Sequence, residues 1–238
     1  MIRITYLGHS GFLLEWPGCY WLFDWWKGAL PPLDSGKPLL VFVSHRHEDH
    51  FNPCVFQIDH PAIRYFLASD IRQTPGNLER WKVRQTAELY TVRRREKYLY
   101  QAPGGPLAME ALPSTDEGVA FLLTYQDHTV YHAGDLNWWD WPGEDADWNH
   151  TMAANFQKAA GPLKGRHLNL AFAPLDPRQE SSYDWGLTWL LSSAQVDRAF
   201  PMHFWEDTGV IARFRAEHPD LAEKVTEIAA PGQTWEFP

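Results

Sequence analysis

The sequence predicts an α/β protein in which helices cover stacked sheets, and three observations carry that prediction. The opening third is a succession of short β-like runs separated by turn residues, the remainder interleaves strands with helical segments, and no repeat or low-complexity tract offers a rival architecture. At 238 residues the chain is long enough to bury one sizeable core. A single domain over 1–238 is expected, because two-layer α/β folds of this length commonly stay undivided.

Short apolar or alternating runs at 2–7, 12–15, 20–23 and 39–43 read as strands, and the last of these, Leu39-Leu40-Val41-Phe42-Val43, is apolar throughout, as a buried strand is. Weaker runs follow at 65–67, 97–101 and 107–112. Two further strands, 119–125 and 129–132, are joined through Gln126, Asp127 and His128 as a tight hairpin. A helix is expected over about 147–160, where Trp148, Met152 and Phe156 recur at fourfold spacing and Gly161-Pro162 supplies the stop. Then come a strand at 168–173, a helix at 183–192, a strand at 198–202 and a helix at about 208–217, ahead of Pro219.

Composition narrows the function classes. Hydrophobic residues make up 45% and charged residues 21%, an ordinary globular balance, and no stretch approaches the roughly 20 apolar residues of a membrane-spanning helix. The segment MIRITYLGHSGFLLEW alternates apolar and polar positions instead of following a charged start with an apolar block and a cleavage site, so it reads as a strand. Cys19 and Cys54 are too few for a disulfide framework, and the cytoplasm is the default expectation. A net charge of -9 disfavours general binding of a phosphate backbone. The one dense basic run, Arg93-Arg94-Arg95-Glu96-Lys97, reads as a solvated turn or helix face. Of the 13 tryptophans, most are expected to be packing and a minority to wall a pocket.

The chemistry concentrates in Ser44-His45-Arg46-His47-Glu48-Asp49-His50, directly after the apolar strand. In an extended stretch, residues two apart point the same way, so His45 and His47 can present imidazoles to one metal ion while the following turn directs Asp49 and His50 to a neighbouring position. Burying this set without a cation would leave several strong donors and acceptors in need of other partners.

This His-x-His-x-Asp-His run resembles the signature of the metallo-β-lactamase superfamily. The resemblance continues in Tyr6-Leu7-Gly8-His9-Ser10-Gly11-Phe12-Leu13 with Phe23-Asp24, which is similar to the lactonase-like branch of uncharacterised metal-dependent hydrolases. Tyr131-His132-Ala133-Gly134-Asp135 resembles the family's Gly-Asp motif, and Phe200-Pro201-Met202-His203 its terminal strand. The resemblance implies a four-layer αββα sandwich and one or two divalent ions, zinc first and manganese second. It assigns His45 and His47 to the first position, Asp49, His50 and His203 to the second, and Asp135 between them. It also implies a metal-activated water attacking a small ester, lactone or phosphorylated substrate, with Asp49 orienting that water.

One departure stands out. The family's further histidine is absent before the 119–125 strand, where this chain has Pro113-Ser114-Thr115-Asp116-Glu117-Gly118, so the first position is left to Asp116, His9 or water, or to no ion. His9 is expected as a contact to substrate or to the ligands. Asp176 and Arg178, at the end of the 168–173 strand, and Trp138 are expected at the substrate. No Gly-x-Ser-x-Gly elbow or phosphate-cradling glycine loop is present. The partner is expected to be a small molecule, not a membrane or a nucleic acid, and homo-oligomerisation is suggested by analogy alone. A phosphodiesterase or nuclease using 93–97, and a non-catalytic metal-binding family member, are the competing readings.

Overall fold

The computed structural model describes residues 1–238. The chain starts with an antiparallel meander of β1 (Ile2–Gly8), β2 (Gly11–Glu15) and β3 (Tyr20–Phe23), to which β4 (Leu39–Val43), β5 (Ile63–Ala68), the helix α1 (Pro75–Arg80) and β6 (Glu88–Val92) are added, the strands now pairing in parallel. The second sheet takes β7 (Lys97–Ala102), β8 (Gly105–Pro113), β9 (Val119–Tyr125) and β10 (His128–His132) as antiparallel neighbours. After α2 (Ala146–Ala160) come β11 (His167–Pro174), α3 (Trp185–Ser193), β12 (Gln195–Met202) and α4 (Gly209–Glu217). The last strand, β13 (Thr234–Phe237), returns to the first sheet beside β1, giving the orders β13-β1-β2-β3-β4-β5-β6 and β12-β11-β10-β9-β8-β7.

Strand pleating sorts the apolar residues into two cores. Phe12, Trp21, Phe23, Leu40 and Phe42 point between the sheets and meet Phe121, Phe172 and Phe200, with Phe12 and Phe172 ring centroids 4.6 Å apart. The same cluster extends to Phe156, Leu187, Leu190 and Phe214 on the helices over the second sheet. Leu13, Leu22, Val41, Val43 and Leu67 point the other way, under Val55, Phe56 and Trp81. Because β4 is buried on both faces, it is apolar at every position. The expected αββα layering is present, but the outer layer on the first sheet is thin, formed by the 3-10 turn Pro53–Gln57 and the six residues of α1.

The structure adds three elements that periodicity did not predict. Strand β6 buries only Val92, β13 alternates exposed Thr234 and Glu236 with half-buried Trp235 and Phe237, and α1 buries nothing; such edge elements carry little hydrophobic signal. The hairpin is also tighter than expected. Gln126 and Asp127 alone turn the chain, with φ of 47° and 64°, and His128 already belongs to β10.

Strands β1, β4, β8, β10, β11 and β12 all run in the direction that brings their C-terminal ends to one rim of the sandwich. The loops leaving those ends carry His9, 44–50, 114–118, Gly134 and Asp135, Asp176, and His203. In open α/β sheets that rim is where ligands bind.

Candidate metal centre

Asp24, wholly buried after β3, organises the first part of the site. It accepts hydrogen bonds from Ser44 N at 2.7 Å, Ser44 Oγ at 2.5 Å and His50 Nδ1 at 2.7 Å. Ser44 Oγ, having given its proton to Asp24, is 3.0 Å from His45 Nδ1 and accepts from it. One carboxylate thereby fixes the tautomers of both histidines, leaving Nε2 of each as a lone-pair donor facing inward. Asp176 does the same for His203, whose Nδ1 lies 2.9 Å from Asp176 Oδ2.

Loop geometry completes the arrangement. Gly118 has φ +61°, and a Cβ there would meet the Ser44 carbonyl oxygen at 1.9 Å, so the loop from β8 can cross Ser44 this closely only with glycine. Val119 N donates to the same carbonyl at 2.9 Å. The crossing places Asp116 Oδ2 3.2 Å from His47 Nδ1. His9 and His203 both sit in the left-handed region, at φ 54° and 64°, a local strain that concentrates at functional sites.

Two groups of ligand-type atoms result, His9, Asp49, His50 and His203 in one, and His45, His47, Asp116 and Asp135 in the other. Within each group the atoms lie within 4.8 Å of one another. Asp135 stands between them, with Oδ2 3.5 Å from His45 Nε2 and Oδ1 3.0 Å from His50 Nε2 and 3.6 Å from His203 Nε2. Asp49 Oδ2 is 3.2 Å from His9 Nε2 and 3.7 Å from His203 Nε2.

The fit to a cation rests on atoms that have no other use. The Nε2 atoms of His9, His45 and His50, together with Asp135 Oδ1, are buried and make no hydrogen bond. Some of them approach carboxylates to about hydrogen-bond distance, yet without the required alignment, as atoms do when several are aimed at a common point. Orphaned polar atoms of this kind are rare in folded proteins and costly to bury, and here two fall in each group, where they fit parts of the donor sets of divalent ions.

Electrostatics agree. Burial lowers His9 and His45 to about 4, so both imidazoles stay neutral at ordinary pH. Burial also opposes charge on His50, but the Asp135 and Asp24 carboxylates on either side outweigh it and hold the pKa well above its usual value. The imidazoles of His50, His203 and His45 keep Asp135 well below the carboxylate range against the effect of burial. These opposite shifts set the pH dependence of the metal-free chain. As pH falls from about 6.5 towards 4, unfolded His9 and His45 take up protons that the folded chain refuses, and stability drops; as pH rises above 6.5, folded His50 keeps a proton that the unfolded chain has released, and stability drops again. Thermal melting of chelator-treated protein is therefore expected to peak near pH 6.5, and a flat profile between pH 5 and 8 would contradict these assignments.

A cleft of about 380 Å³ opens over the two groups, lined by His47, Asp49, Asp135, Arg178, Trp139 and Trp141 among others. The structure brings together His45, His47, Asp49, His50, Asp135 and His203, all expected from the sequence. His9 lies among the ligand-type atoms and not beyond them, and Asp116 stands where the family's histidine is missing. Two expectations are corrected. Asp176 is fully buried and engaged by His203 and Arg178, so it faces no substrate. Trp138 packs on Phe156 and Trp185, away from the cleft, whose aromatic wall is Trp139, Trp141, Trp148 and Trp205. Arg178 does reach the cleft, its guanidinium 4.5 Å from the Trp205 ring centre and 5.3 Å from that of Trp141. The role of Asp24 was not anticipated; Phe23-Asp24 was visible only as part of a motif.

A family profile described as the β-lactamase superfamily domain matches residues 3–139, more than half of the chain. The chain belongs to that superfamily and has the metallo-β-lactamase fold of its solved neighbours. No curated protein matches it. Among solved structures, Igni18, a metallo hydrolase from the archaeon Ignicoccus hospitalis, is 21% identical with TM-score 0.59, covering 100% of this chain and 99% of that one. The metallo-β-lactamase fold protein YhfI from Bacillus subtilis is 16% identical with TM-score 0.62, covering 99% and 100%. Human tRNase Z, short form, is 14% identical with TM-score 0.58, covering 99% of each chain. At these identities the likeness is one of fold.

Proposed function

We propose that the protein hydrolyses a small ester, lactone or phosphorylated substrate, with His45, His47, Asp116 and Asp135 holding one divalent ion and His9, Asp49, His50 and His203 a second, Asp135 serving both. The observation that carries this reading is the convergence of four orphaned buried donor atoms beneath an open cleft. Divalent ions held there supply an acidified water and polarise the group under attack. Asp49, half-buried with 21% of its side chain exposed, would orient that water and accept its proton. Arg178 is held by Asp176 through Nε and Nη2, which leaves Nη1 to meet an anionic or carbonyl group at the cleft rim. The tryptophan wall limits water around the reacting bond.

The test is a panel of esters, lactones and phosphodiesters assayed with and without added metal. Metal-dependent turnover of one class, reduced by about 10²-fold or more in Asp49→Ala, is the expected result. Absence of metal-dependent turnover on every class overturns the hydrolase reading, and turnover confined to phosphodiesters selects the phosphodiesterase alternative.

Zinc is the proposed ion, and Asp116 makes manganese a competitor, because a second carboxylate hardens the donor set around His45 and His47. Asp116→His should shift metal content towards zinc, by about tenfold in the zinc-to-manganese ratio of protein grown with equal supplies of both. Elemental analysis reads the outcome, and an unchanged ratio removes Asp116 from the site.

A further inference from the structure

The basic run at 93–97 looks like a solvated turn in the sequence, but the fold gives it company. Lys158 from α2 and Arg166 from the turn before β11 come to the same place, and with Arg94, Arg95 and Lys97 they line a groove of about 770 Å³. The cations thus arrive from three separate parts of the chain. The floor of the groove is the end of β8 and the segment Ser114-Thr115-Asp116, and Thr115 and Asp116 also line the metal cleft, so the two cavities share a wall.

The charges in this groove are only partly used. Lys97 and Arg166 share a single carboxylate, Glu110, at 3.0 Å and 3.2 Å. Arg94 donates to the carbonyls of Gly118 at 2.7 Å and Asp116 at 3.1 Å, which ties the groove to the loop carrying Asp116 but neutralises nothing. The side chains of Arg95 and Lys158 make no ion pair or hydrogen bond at all. Asp116 is turned to His47 and Glu96 to the hydroxyl of Tyr98. A surplus of positive charge therefore gathers in one concavity of a chain whose net charge is -9.

We propose that this groove binds the phosphoryl group of a phosphorylated small-molecule substrate whose reacting bond lies in the adjacent cleft. This rests on the hydrolase reading and adds the substrate class to it. A guanidinium fork and an ammonium together match the three acceptor oxygens of a phosphate monoester. The groove has the volume of a small-ligand site, and the acidic remainder of the surface repels a long polyanion.

The experiment is calorimetry with glycerol 3-phosphate as probe, comparing the metal-loaded wild type, the metal-loaded double variant Arg95→Glu/Lys158→Glu, and Asp135→Asn, in which the metal positions are emptied. Both reversed positions are solvent-exposed, and circular dichroism is to check that the double variant folds. The expected result is saturable binding to wild type, weakened about tenfold or more in the double variant and kept within about twofold in Asp135→Asn. No binding to wild type, or equal binding to the double variant, overturns the proposal. Loss of binding in Asp135→Asn places the anion on the metal ions and also overturns it. Steeply salt-dependent binding of a short RNA, without binding of the monoester, assigns the groove to a nucleic-acid backbone instead. Binding as expected, with no turnover of any substrate class, leaves the groove standing and removes the hydrolase reading alone.

Discussion

Asp135→Ala is expected to lose both ions and to lower kcat/KM by a factor on the order of 10³ or more. The carboxylate is buried, and its two oxygens serve opposite sides, Oδ2 facing His45 at 3.5 Å and Oδ1 facing His50 at 3.0 Å and His203 at 3.6 Å. No other anion in the site touches both groups. Its removal leaves one carboxylate in each group, Asp116 with His45 and His47 and Asp49 with His9, His50 and His203, and His50 loses one of the two carboxylates that hold its proton in the metal-free chain. Elemental analysis and steady-state kinetics check this together; a variant that keeps two equivalents of metal would show that Asp135 does not join the groups.

The second large effect is expected at a residue that is not itself a ligand but holds one, His50. Asp24→Ala removes the acceptor shared by Ser44 N, Ser44 Oγ and His50 Nδ1 and leaves these buried donors unpaired, a loss of about 3–5 kcal/mol in stability. Metal affinity should fall by about 10–100-fold as well. Asp24→Asn separates the two consequences. The amide keeps the shape and one acceptor but turns a donor towards His50 or Ser44, so an imidazole must move its proton to Nε2, the atom meant for metal. The expected outcome is a chain that melts close to wild type yet binds zinc weakly. Wild-type affinity in Asp24→Asn would show that the carboxylate does not set the histidine tautomers.

These two residues also show where the sequence could be read and where it could not. Asp135 announces itself by its neighbours, because Gly134-Asp135 follows a strand and belongs with His45-x-His47-x-Asp49-His50 and His203 in a recognisable order. Asp24 has no such context; its importance lies in a contact with Ser44 and His50, 20 and 26 residues away, which only the parallel pairing of β3 with β4 creates. The same holds for Asp116, whose approach to His47 depends on Gly118 passing against Ser44. The tryptophans mark a general limit. Trp138 and Trp139 are adjacent and chemically identical, yet one packs on α2 and the other lines the cleft. Alternation along an irregular loop has no fixed period from which to tell them apart. In the fold, strands buried on both faces were legible from their continuous apolar runs, whereas β6 and β13, at the edges, bury too little to produce a pattern.

The position of β13 has a consequence for how the centre comes into being. His9 follows a strand whose outer neighbour is made from the last residues of the chain; Gly232 N donates to Tyr6 O at 2.7 Å, and Tyr6 N to Gln233 O at 3.0 Å. His9 is therefore framed by a strand distant in sequence, and His203, its neighbour in the same group, comes from another distant segment. The group of His9, Asp49, His50 and His203 is thus a product of long-range folding, complete only when β13 has closed against β1.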